Sequence, residues 1–232
     1  MSSKSDMVFL EQNLKGICDK HGLDYADFLD ELDVDQANDL SIYDLEAIAE
    51  EYELDLSALL FKHVFKTSGL KSTLNKIKLL VLDVDGVMTD AGLYFTESGD
   101  SIKKFNAKDG MAIAQLTKKD FQIAIISSGF AGEAVQARAK MLGIQHCSVN
   151  KESKLTRLEG VCNLVGCDFS EVAMIGDDIN DREVMERIGF SACPADAVQV
   201  VKDSVDLVLT KNGGAGCIRE FVDEYLLEER LK

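Results

Sequence analysis

The chain has 232 residues, 46% hydrophobic and 28% charged, which is typical of a globular protein with one large domain or two small ones. Its net charge is −16, and residues 1–70 carry 5 Lys and Arg against 16 Asp and Glu, which argues against a nucleic-acid partner because phosphates are bound by Lys and Arg. No apolar run has the length of a membrane span and no signal-peptide pattern opens the sequence, so we expect neither a membrane partner nor export.

The first region, residues 1–68, shows only helical patterns. Apolar residues recur at helical spacing from Leu10 to Leu60, and no strand-like run interrupts them. Three residues are suited to cap the helices at their N-termini: Asp24, Ser41 and Asp55. We predict a small all-α domain over residues 1–68, ending in the connector Thr67-Ser68-Gly69.

From residue 77 onward, strand-like runs alternate with helical patterns. Strands are predicted at 78–83, 121–127, 145–149, 172–176, 190–193 and 206–210. Helices are predicted between them, at 109–118, 131–142, 152–165, 180–187, 196–202 and 215–229. This alternation predicts an α/β domain over residues 69–232, with a Rossmann-like parallel sheet between two layers of helices. Residues 92–105 break the rhythm and predict a β-hairpin insertion around a turn at Glu97–Asp100.

Two carboxylates end the first of these strands. Residues 79–90 read LLVLDVDGVMTD, and such an unbroken apolar run is typical of a strand buried on both faces. Residues two apart in a strand point the same way, so Asp83 and Asp85 converge at the carboxyl end, where open α/β sheets bind ligands. Adjacent carboxylates repel each other unless a cation or a shared proton relieves them, which indicates a functional site.

Further polar residues follow other predicted strands. The strand 121–127 runs into Ser127-Ser128-Gly129, and the strand 172–176 runs into GDDIND, which contains Asp177, Asp178 and Asp181. Lys154 opens the helix that precedes the latter strand. Because the carboxyl ends of parallel strands meet at one edge, we expect acids, hydroxyls and an ammonium group in a single site.

The motifs DVDG, IIS, a lysine and GDDxxD occur in this order over residues 77–232 and resemble those of the haloacid dehalogenase-like hydrolases. The segments VLDVDGVMTD, FNAKDG and GGAGCIRE, together with the hairpin, resemble the capless branch of that family. This branch includes 3-deoxy-D-manno-octulosonate 8-phosphate phosphatases and nonulosonate 9-phosphate phosphatases. The resemblance implies a phosphatase that hydrolyses a small sugar-acid phosphate through an aspartyl-phosphate.

The resemblance also implies a role for each residue of the motifs. Asp83 is expected to attack phosphorus as the nucleophile, and Asp85 to act as general acid and then general base. Mg²⁺ is the expected cofactor, held by Asp83, the carbonyl of Asp85 and Asp177. Ser127 and the amides after it are expected to bind the phosphoryl oxygens, while Lys154 balances their charge.

Several nearby residues have more than one interpretation. Ser128 could replace Ser127 at the phosphoryl group, and Lys151 could replace Lys154. Asp178 is expected to orient metal-bound water or Lys154 from behind the site. Asp181 could either cap its own helix or support the site.

The sequence leaves the identity of the sugar acid open. Relatives that act on the octulosonate phosphate carry Gly-Arg after the motif serine and an arginine at the position of Lys108, and this chain has neither. Asp109 is expected to be a helix N-cap with a further role near the substrate. The candidates for substrate binding are Ser128, Gly129, Lys108, Asp109 and Arg219.

The spacing of the motifs leaves no room for a separate cap domain. Asp83 and Ser127 are 44 positions apart, and Ser127 and Lys154 are 27 apart. A site that excludes water must therefore be closed in another way. The resemblance implies a homotetramer in which a neighbour's hairpin covers each site. The hairpin offers apolar residues for such an interface: Leu93, Tyr94, Phe95, Ile102 and Phe105.

Residues 40–60 resemble the last helices of repressor-type helix-turn-helix domains. This resemblance raises an alternative, a DNA-binding or protein-docking regulator in which the α/β domain is a sensor or scaffold. Between Leu32 and Ser41, however, a short acidic stretch stands in the place of a recognition helix, where base contacts need Arg, Lys or Asn. We therefore interpret the segment as a degenerate helical module for oligomerisation or partner docking.

The six cysteines form neither a C-x-x-C motif nor a zinc-binding spacing. Such scattered cysteines are typical of reduced thiols rather than of a disulfide framework. We therefore expect a cytoplasmic protein.

Overall fold

The structure is a computed structural model that describes residues 8–61, 73–97, 101–129 and 132–226. The chain divides into two compact units between Ser72 and Thr73. Three predicted features lie outside the described residues: the connector at 67–69 with the domain boundary, the tip of the hairpin at 98–100, and the end of the last helix beyond 226.

The described part of the first unit is helical, as predicted. It contains α1 (Val8–His21), α2 (Tyr25–Glu31), a 3₁₀ turn (Ala37–Asp39), α3 (Ile42–Glu51) and α4 (Leu56–Phe61). Their apolar residues meet in one core, in which Leu14, Ile17 and Leu59 are fully buried. The amphipathic spacing of these short helices therefore builds a core of its own.

All three predicted N-caps of this unit are confirmed. The Asp24 carboxylate accepts two amide N–H groups from the first turn of α2. Ser41 forms a capping box with Asp44 at the start of α3. Asp55 accepts an amide N–H of the first turn of α4 at 2.9 Å. These side chains satisfy amide groups that a helix start otherwise leaves without a partner.

The second unit is built on a six-stranded sheet with a separate hairpin. The strands are β1 (Leu79–Leu82), β2 (Tyr94–Phe95), β3 (Ser101–Ile102), β4 (Gln122–Ser127), β5 (His146–Val149), β6 (Val172–Ile175), β7 (Phe190–Cys193) and β8 (Leu207–Val208). The sheet order is β5-β4-β1-β6-β7-β8 and every pairing in it is parallel. The predicted strands and their parallel arrangement are therefore confirmed.

Helices cover this sheet. They are α5 (Ala107–Thr117), α6 (Gly132–Leu142), α7 (Lys154–Val165), α8 (Ile179–Met185), α9 (Gln199–Lys202) and α10 (Cys217–Phe221), which continues as a wider turn to Leu226. Helices α7, α8 and α9 share one core with alternate residues of the central strands, such as Val81 and Met174. Helix α5 packs on β4 and against α10. The three-layer α/β fold is thus confirmed, and no helix among the described residues is both long and apolar enough to cross a membrane.

The start of α5 differs from its prediction. The helix begins at Ala107 with Asn106 as its N-cap, whose side chain accepts the amide N–H of Lys108 at 2.8 Å. Asp109 is therefore not an N-cap but a residue of the first turn, and it is only 2% exposed. Its Oδ1 accepts the amide N–H of Arg219 at 2.8 Å, so this carboxylate joins α5 to α10.

The hairpin insertion is present as an antiparallel pair of β2 and β3. Four of its apolar residues are exposed by 49–61%: Leu93, Tyr94, Phe95 and Ile102. Phe105 differs, because its ring is partly buried and lies 5.7 Å from the Arg138 guanidinium. The predicted apolar surface is therefore confirmed for four residues and wrong for the fifth.

Candidate active site

The polar residues of the site meet at the carboxyl end of the central strand β1. Leu82, its last residue, is paired with Ile125 of β4 and Ile175 of β6. The segments that leave these three neighbouring strands therefore emerge at the same edge of the sheet. Asp83 and Asp177 lie on such segments and Ser127 is the last residue of β4, so the predicted convergence is present.

Three carboxylates form the centre of the site. Oxygens of Asp83, Asp177 and Asp181 lie within 4.8 Å of one another. Asp83 is 5% exposed and Asp181 is fully buried. Gly86 has φ +87°, and a β-carbon at this position would overlap the Asp177 carboxylate. Only glycine lets the turn after Asp83 approach Asp177 so closely.

Lys154 is the cation of this cluster. Its Nζ lies 3.0 Å from Asp83 Oδ1 and 2.6 Å from Asp181 Oδ1, and all three side chains are buried. Burial alone would lower the pKa of Lys154, but the charges of Asp181 and Asp83 outweigh it and raise that pKa above its usual value. Lys154 is therefore a charged ammonium group at neutral pH.

One ammonium does not balance three carboxylates. Burial, together with the charge of Asp181, raises the pKa of Asp83 to about 6. Burial, together with the charge of Asp83, raises the pKa of Asp177 to about 8. Asp83 Oδ1 is close to Lys154 but not in hydrogen-bonding geometry, and neither it nor Asp177 Oδ1 accepts a hydrogen bond from the described residues. Buried carboxylate oxygens without donors are the ligands that a hard divalent cation requires, so these residues fit a metal site.

Asp181 fills both of the roles between which the sequence left a choice. Its Oδ1 accepts a hydrogen bond from Lys154 at 2.6 Å. Its Oδ2 accepts the amide N–H groups of Asp177 at 3.1 Å and Asp178 at 3.4 Å, at the start of α8. Lys154 is thus oriented by Asp181 rather than by Asp178, which is exposed and accepts the amide N–H of Ile179 at 2.7 Å.

Asp85 belongs to the turn that follows Asp83, two residues further along the chain. A β-carbon on Gly129 would overlap its carboxylate, so Asp85 faces the segment that follows β4. The ammonium of Lys103 forms an ion pair with Asp85, and the Lys103 side chain is only 4% exposed. The sequence interpretation did not include Lys103. Its one signal is the alternation along β3, since Ile102 faces solvent and the next residue faces the opposite way.

The segment after β4 presents the predicted hydroxyl groups. Ser127 is 2% exposed, and its Oγ accepts the amide N–H of Gly129 at 3.1 Å. Arg157 of α7 donates from Nη1 to the Ser127 carbonyl at 2.8 Å and from Nη2 to Ser128 Oγ at 3.2 Å. The sequence interpretation also missed Arg157, because no local pattern links it to a segment 30 residues earlier.

The remaining substrate candidates lie on α5 and α10. Lys108 is exposed in the first turn of α5. The Arg219 side chain forms an ion pair with Asp223 at 2.6 Å along its own helix. Asp109 is buried, and its Oδ2 accepts no hydrogen bond from the described residues. Their substrate contacts stay predictions.

The glycine-rich loop before α10 packs onto the turn that follows Asp83. The Gly214 amide donates to the Val87 carbonyl at 2.9 Å, and a β-carbon on Gly213 would overlap the Gly86 carbonyl. The Asn106 side chain donates to the Gly214 carbonyl at 3.1 Å. This loop is therefore held against the turn after Asp83 and forms part of the wall of the site.

Comparison with known proteins identifies the family to which this site belongs. Residues 98–221 match the haloacid dehalogenase-like hydrolase family. The chain is 37% identical over 153 residues to the 3-deoxy-D-manno-octulosonate 8-phosphate phosphatase KdsC of Yersinia pestis, covering 66% of this chain and 81% of that protein. It is 36% identical over 153 residues to the KdsC phosphatase of Escherichia coli K12, with the same coverage.

A solved structure extends this similarity to three dimensions. It is the 3-deoxy-D-manno-octulosonate 8-phosphate phosphatase of Moraxella catarrhalis, crystallised in complex with a magnesium ion, a phosphate ion and a KDO molecule. The TM-score is 0.65 at 30% sequence identity, covering 69% of this chain and 91% of that one. The chain therefore belongs to the haloacid dehalogenase-like hydrolase family and is an enzyme of its phosphatase class.

Proposed function

We propose that the protein is a Mg²⁺-dependent phosphomonoesterase that hydrolyses a sugar-acid phosphate. The single observation that carries this proposal is the buried cluster of Asp83, Asp177 and Asp181 around Lys154, in which two carboxylate oxygens lack hydrogen-bond donors among the described residues. The similarity to KdsC phosphatases makes 3-deoxy-D-manno-octulosonate 8-phosphate the first candidate substrate. A nonulosonate 9-phosphate is the second.

The proposed metal ligands are Asp83, the carbonyl of Asp85 and Asp177. When Mg²⁺ is bound, it offsets the repulsion among the carboxylates and neutralises charge on the phosphoryl group. Asp181 is occupied by Lys154 and two amide groups, so we assign it to orienting the lysine rather than to the ion.

The proposed reaction has two steps. A carboxylate oxygen of Asp83 attacks phosphorus, the bond from phosphorus to the sugar oxygen breaks, and Asp85 gives its proton to that leaving oxygen. Water then attacks phosphorus, Asp85 takes a proton from that water, and the bond from phosphorus to the Asp83 oxygen breaks, which frees Asp83 and inorganic phosphate. The position of Asp85 beside Gly129 supports this exchange of protons near the phosphoryl site.

The transferred group is stabilised by donors that are already fixed before the substrate arrives. The Ser127 hydroxyl and the Ser128 amide would donate to the phosphoryl oxygens, while the Gly129 amide donates to Ser127 Oγ and helps to hold it in place. Lys154 is held by Asp83 and Asp181, so its charge does not need to reorganise during the reaction. Such preorganised donors act most strongly in a buried site of low polarity.

The proposal is tested by phosphate release from a generic aryl phosphate with and without Mg²⁺. We expect release only with the metal and none from Asp83→Asn. Acid-quenched enzyme should carry phosphate on the peptide that contains Asp83. A panel of the octulosonate 8-phosphate and nonulosonate 9-phosphates then ranks the substrates by kcat/KM. A wild-type protein inactive on a broad range of phosphate esters would contradict the proposal.

We further propose that the enzyme is a cytoplasmic homotetramer. The apolar residues exposed on β2 and β3 support an interface at the hairpin, because burying them removes a large apolar surface from water. The cysteines of the described residues are free thiols, as expected in a reducing compartment. Light scattering should give four chains, and Phe95→Ser should shift the mass towards smaller species. An unaltered monomer in both proteins would contradict this assembly.

A further inference from the structure

Arg157 is a buried cation of the second unit with an unusual set of partners. It is 7% exposed and belongs to α7, one turn after Lys154. Its donors reach the Ser127 carbonyl at 2.8 Å, the Ser148 carbonyl at 3.2 Å, Ser128 Oγ at 3.2 Å and the Ser153 carbonyl at 3.4 Å. All of these acceptors are uncharged, and Arg157 forms no ion pair with the described residues.

A buried guanidinium without a carboxylate is costly, because it loses its hydration and gains no opposite charge. Burial accordingly lowers the pKa of Arg157, and only the more distant charges of Glu152 and Asp83 oppose this effect. An apolar side chain could fill the same space at a lower cost. The position of the charge, directly behind the segment that follows β4, offers a reason to keep it.

The two hydroxyl oxygens of that segment act as acceptors within the protein, which leaves their protons available for a further acceptor. Ser127 Oγ accepts the Gly129 amide, and Ser128 Oγ accepts the Arg157 guanidinium. A serine hydroxyl has one proton, and an oxygen that already accepts a bond from the protein directs this proton towards another acceptor. Two such hydroxyls at the end of β4 match the acceptor oxygens of an anion.

We propose that Arg157 is a positioning residue of the phosphate site. Its guanidinium fixes the turn Ser127-Ser128-Gly129 in the conformation that donates to a phosphoryl group. Its charge also adds a fixed attraction for a dianion without touching it. The identity of the anion rests on the proposed phosphatase function, whereas the turn and its hydrogen bonds are properties of the fold alone.

Two measurements test this proposal in the full chain with Mg²⁺ present. Calorimetry gives the affinity for inorganic phosphate, and steady-state kinetics with an aryl phosphate give kcat and KM. We expect Arg157→Met to weaken phosphate binding and to reduce kcat/KM by about tenfold to a hundredfold. Arg157→Lys should lie between this variant and the wild type, because an ammonium keeps the charge but cannot serve all of these acceptors together.

Leu158→Ala is the matched control for a purely structural effect. Leu158 is fully buried on the same helix and contributes to the core on that face of the sheet. This variant should lower the unfolding midpoint and leave the phosphate affinity unchanged below that midpoint. Wild-type affinity and kcat/KM in Arg157→Met, or an equal loss in Leu158→Ala, would overturn the proposal.

A double-mutant cycle with Ser128→Ala keeps the proposal testable if Arg157→Met does not fold. The cycle then uses Arg157→Lys, and we expect the two substitutions to be non-additive, because the guanidinium acts partly through the Ser128 hydroxyl. Additive losses of phosphate affinity would contradict this route. A wild-type chain that binds phosphate, but hydrolyses no ester, would refute the proposed function and leave the Arg157 assignment intact.

Discussion

The two units of the chain use aspartate in opposite ways. In the helical unit, Asp24 and Asp55 are exposed and accept amide N–H groups at helix starts. In the α/β unit, Asp83 and Asp177 hold buried oxygens that accept no hydrogen bond from the described residues. The first pair satisfies amide groups of its own helices. The second pair keeps carboxylate oxygens that the described part of the fold supplies with no hydrogen-bond donor. A buried oxygen that accepts no hydrogen bond, rather than the residue type, therefore distinguishes these carboxylates of the site from the helix caps.

Asp83→Asn should show the largest effect. Removal of the nucleophilic carboxylate is expected to reduce kcat about a thousandfold or more, measured as phosphate released from an aryl phosphate. Asp24→Asn is the matched control in the other unit, because asparagine caps a helix as well as aspartate does. Its kcat should equal that of the wild type. Equal kcat values for the two variants would contradict the assignment of Asp83 to catalysis and of Asp24 to helix capping.

Asp177→Asn should lower activity and raise stability at the same time. Loss of a proposed metal ligand is expected to reduce kcat/KM about a hundredfold and to abolish the thermal stabilisation by Mg²⁺. Without metal, the free energy of unfolding at neutral pH should rise by about 1 to 3 kcal/mol, because asparagine replaces a carboxyl group whose pKa is raised to about 8 on folding and which must take up a proton. Denaturant titrations in EDTA measure this change. The exposed neighbour Asp178 provides the control variant Asp178→Asn, and a destabilised Asp177→Asn protein would contradict the prediction.

Lys103→Met tests whether a buried lysine of the hairpin matters more for kcat than the exposed lysine beside it. Lys103 pairs with Asp85, so its loss is expected to reduce kcat about tenfold to a hundredfold by releasing the proposed acid and base from its position. The adjacent Lys104 is 66% exposed and pairs with Asp90 at 2.8 Å. Lys104→Met should leave kcat unchanged in the same assay. A similar loss in both variants would assign the effect to the hairpin rather than to the ion pair.

Asp24→Ala should affect only the stability of the chain. Removing the cap of α2 is expected to cost about 1 kcal/mol of unfolding free energy, as measured by chemical denaturation. The phosphatase activity should not change, because the capped helix belongs to the unit without the carboxylate cluster. A loss of kcat in this variant would show that the helical unit takes part in catalysis.

The smallest expected effect is in a gel-shift assay with random duplex DNA. The acidic helical unit should produce no shift at physiological salt, because DNA phosphates repel its carboxylates. A shift that disappears with added salt would revive the regulator hypothesis and give the first unit a function of its own.

The fold was largely predictable because its signals are local. Apolar runs marked the central strands β1, β4 and β6, and the alternation with helices predicted the parallel arrangement. The convergence of Asp83, Ser127 and Asp177 followed from their positions after strands. The N-cap of α5 was misassigned because Asn106 and Asp109 are both good caps and lie only three residues apart.

Parts of the site were not predictable because they depend on packing between distant segments. The ion pair of Lys103 with Asp85 joins the hairpin to the turn after β1, 18 residues away. Arg157 reaches Ser127 from a helix that packs across β4. No periodicity or short motif records such contacts. The double task of Asp181, on Lys154 and on two amides, likewise required the relative position of α7 and α8.

The central place of β1 in the sheet has a consequence for the order of folding. Its partners β4 and β6 come much later in the chain, and each parallel pairing requires a crossover through a helix before the strands can meet. Contacts of such long sequence separation form slowly, and no early fragment contains all three strand ends. A cation bound by Asp83 and Asp177 would therefore report the pairing of β1 with β6, so metal affinity during refolding measures when the two halves of the sheet meet.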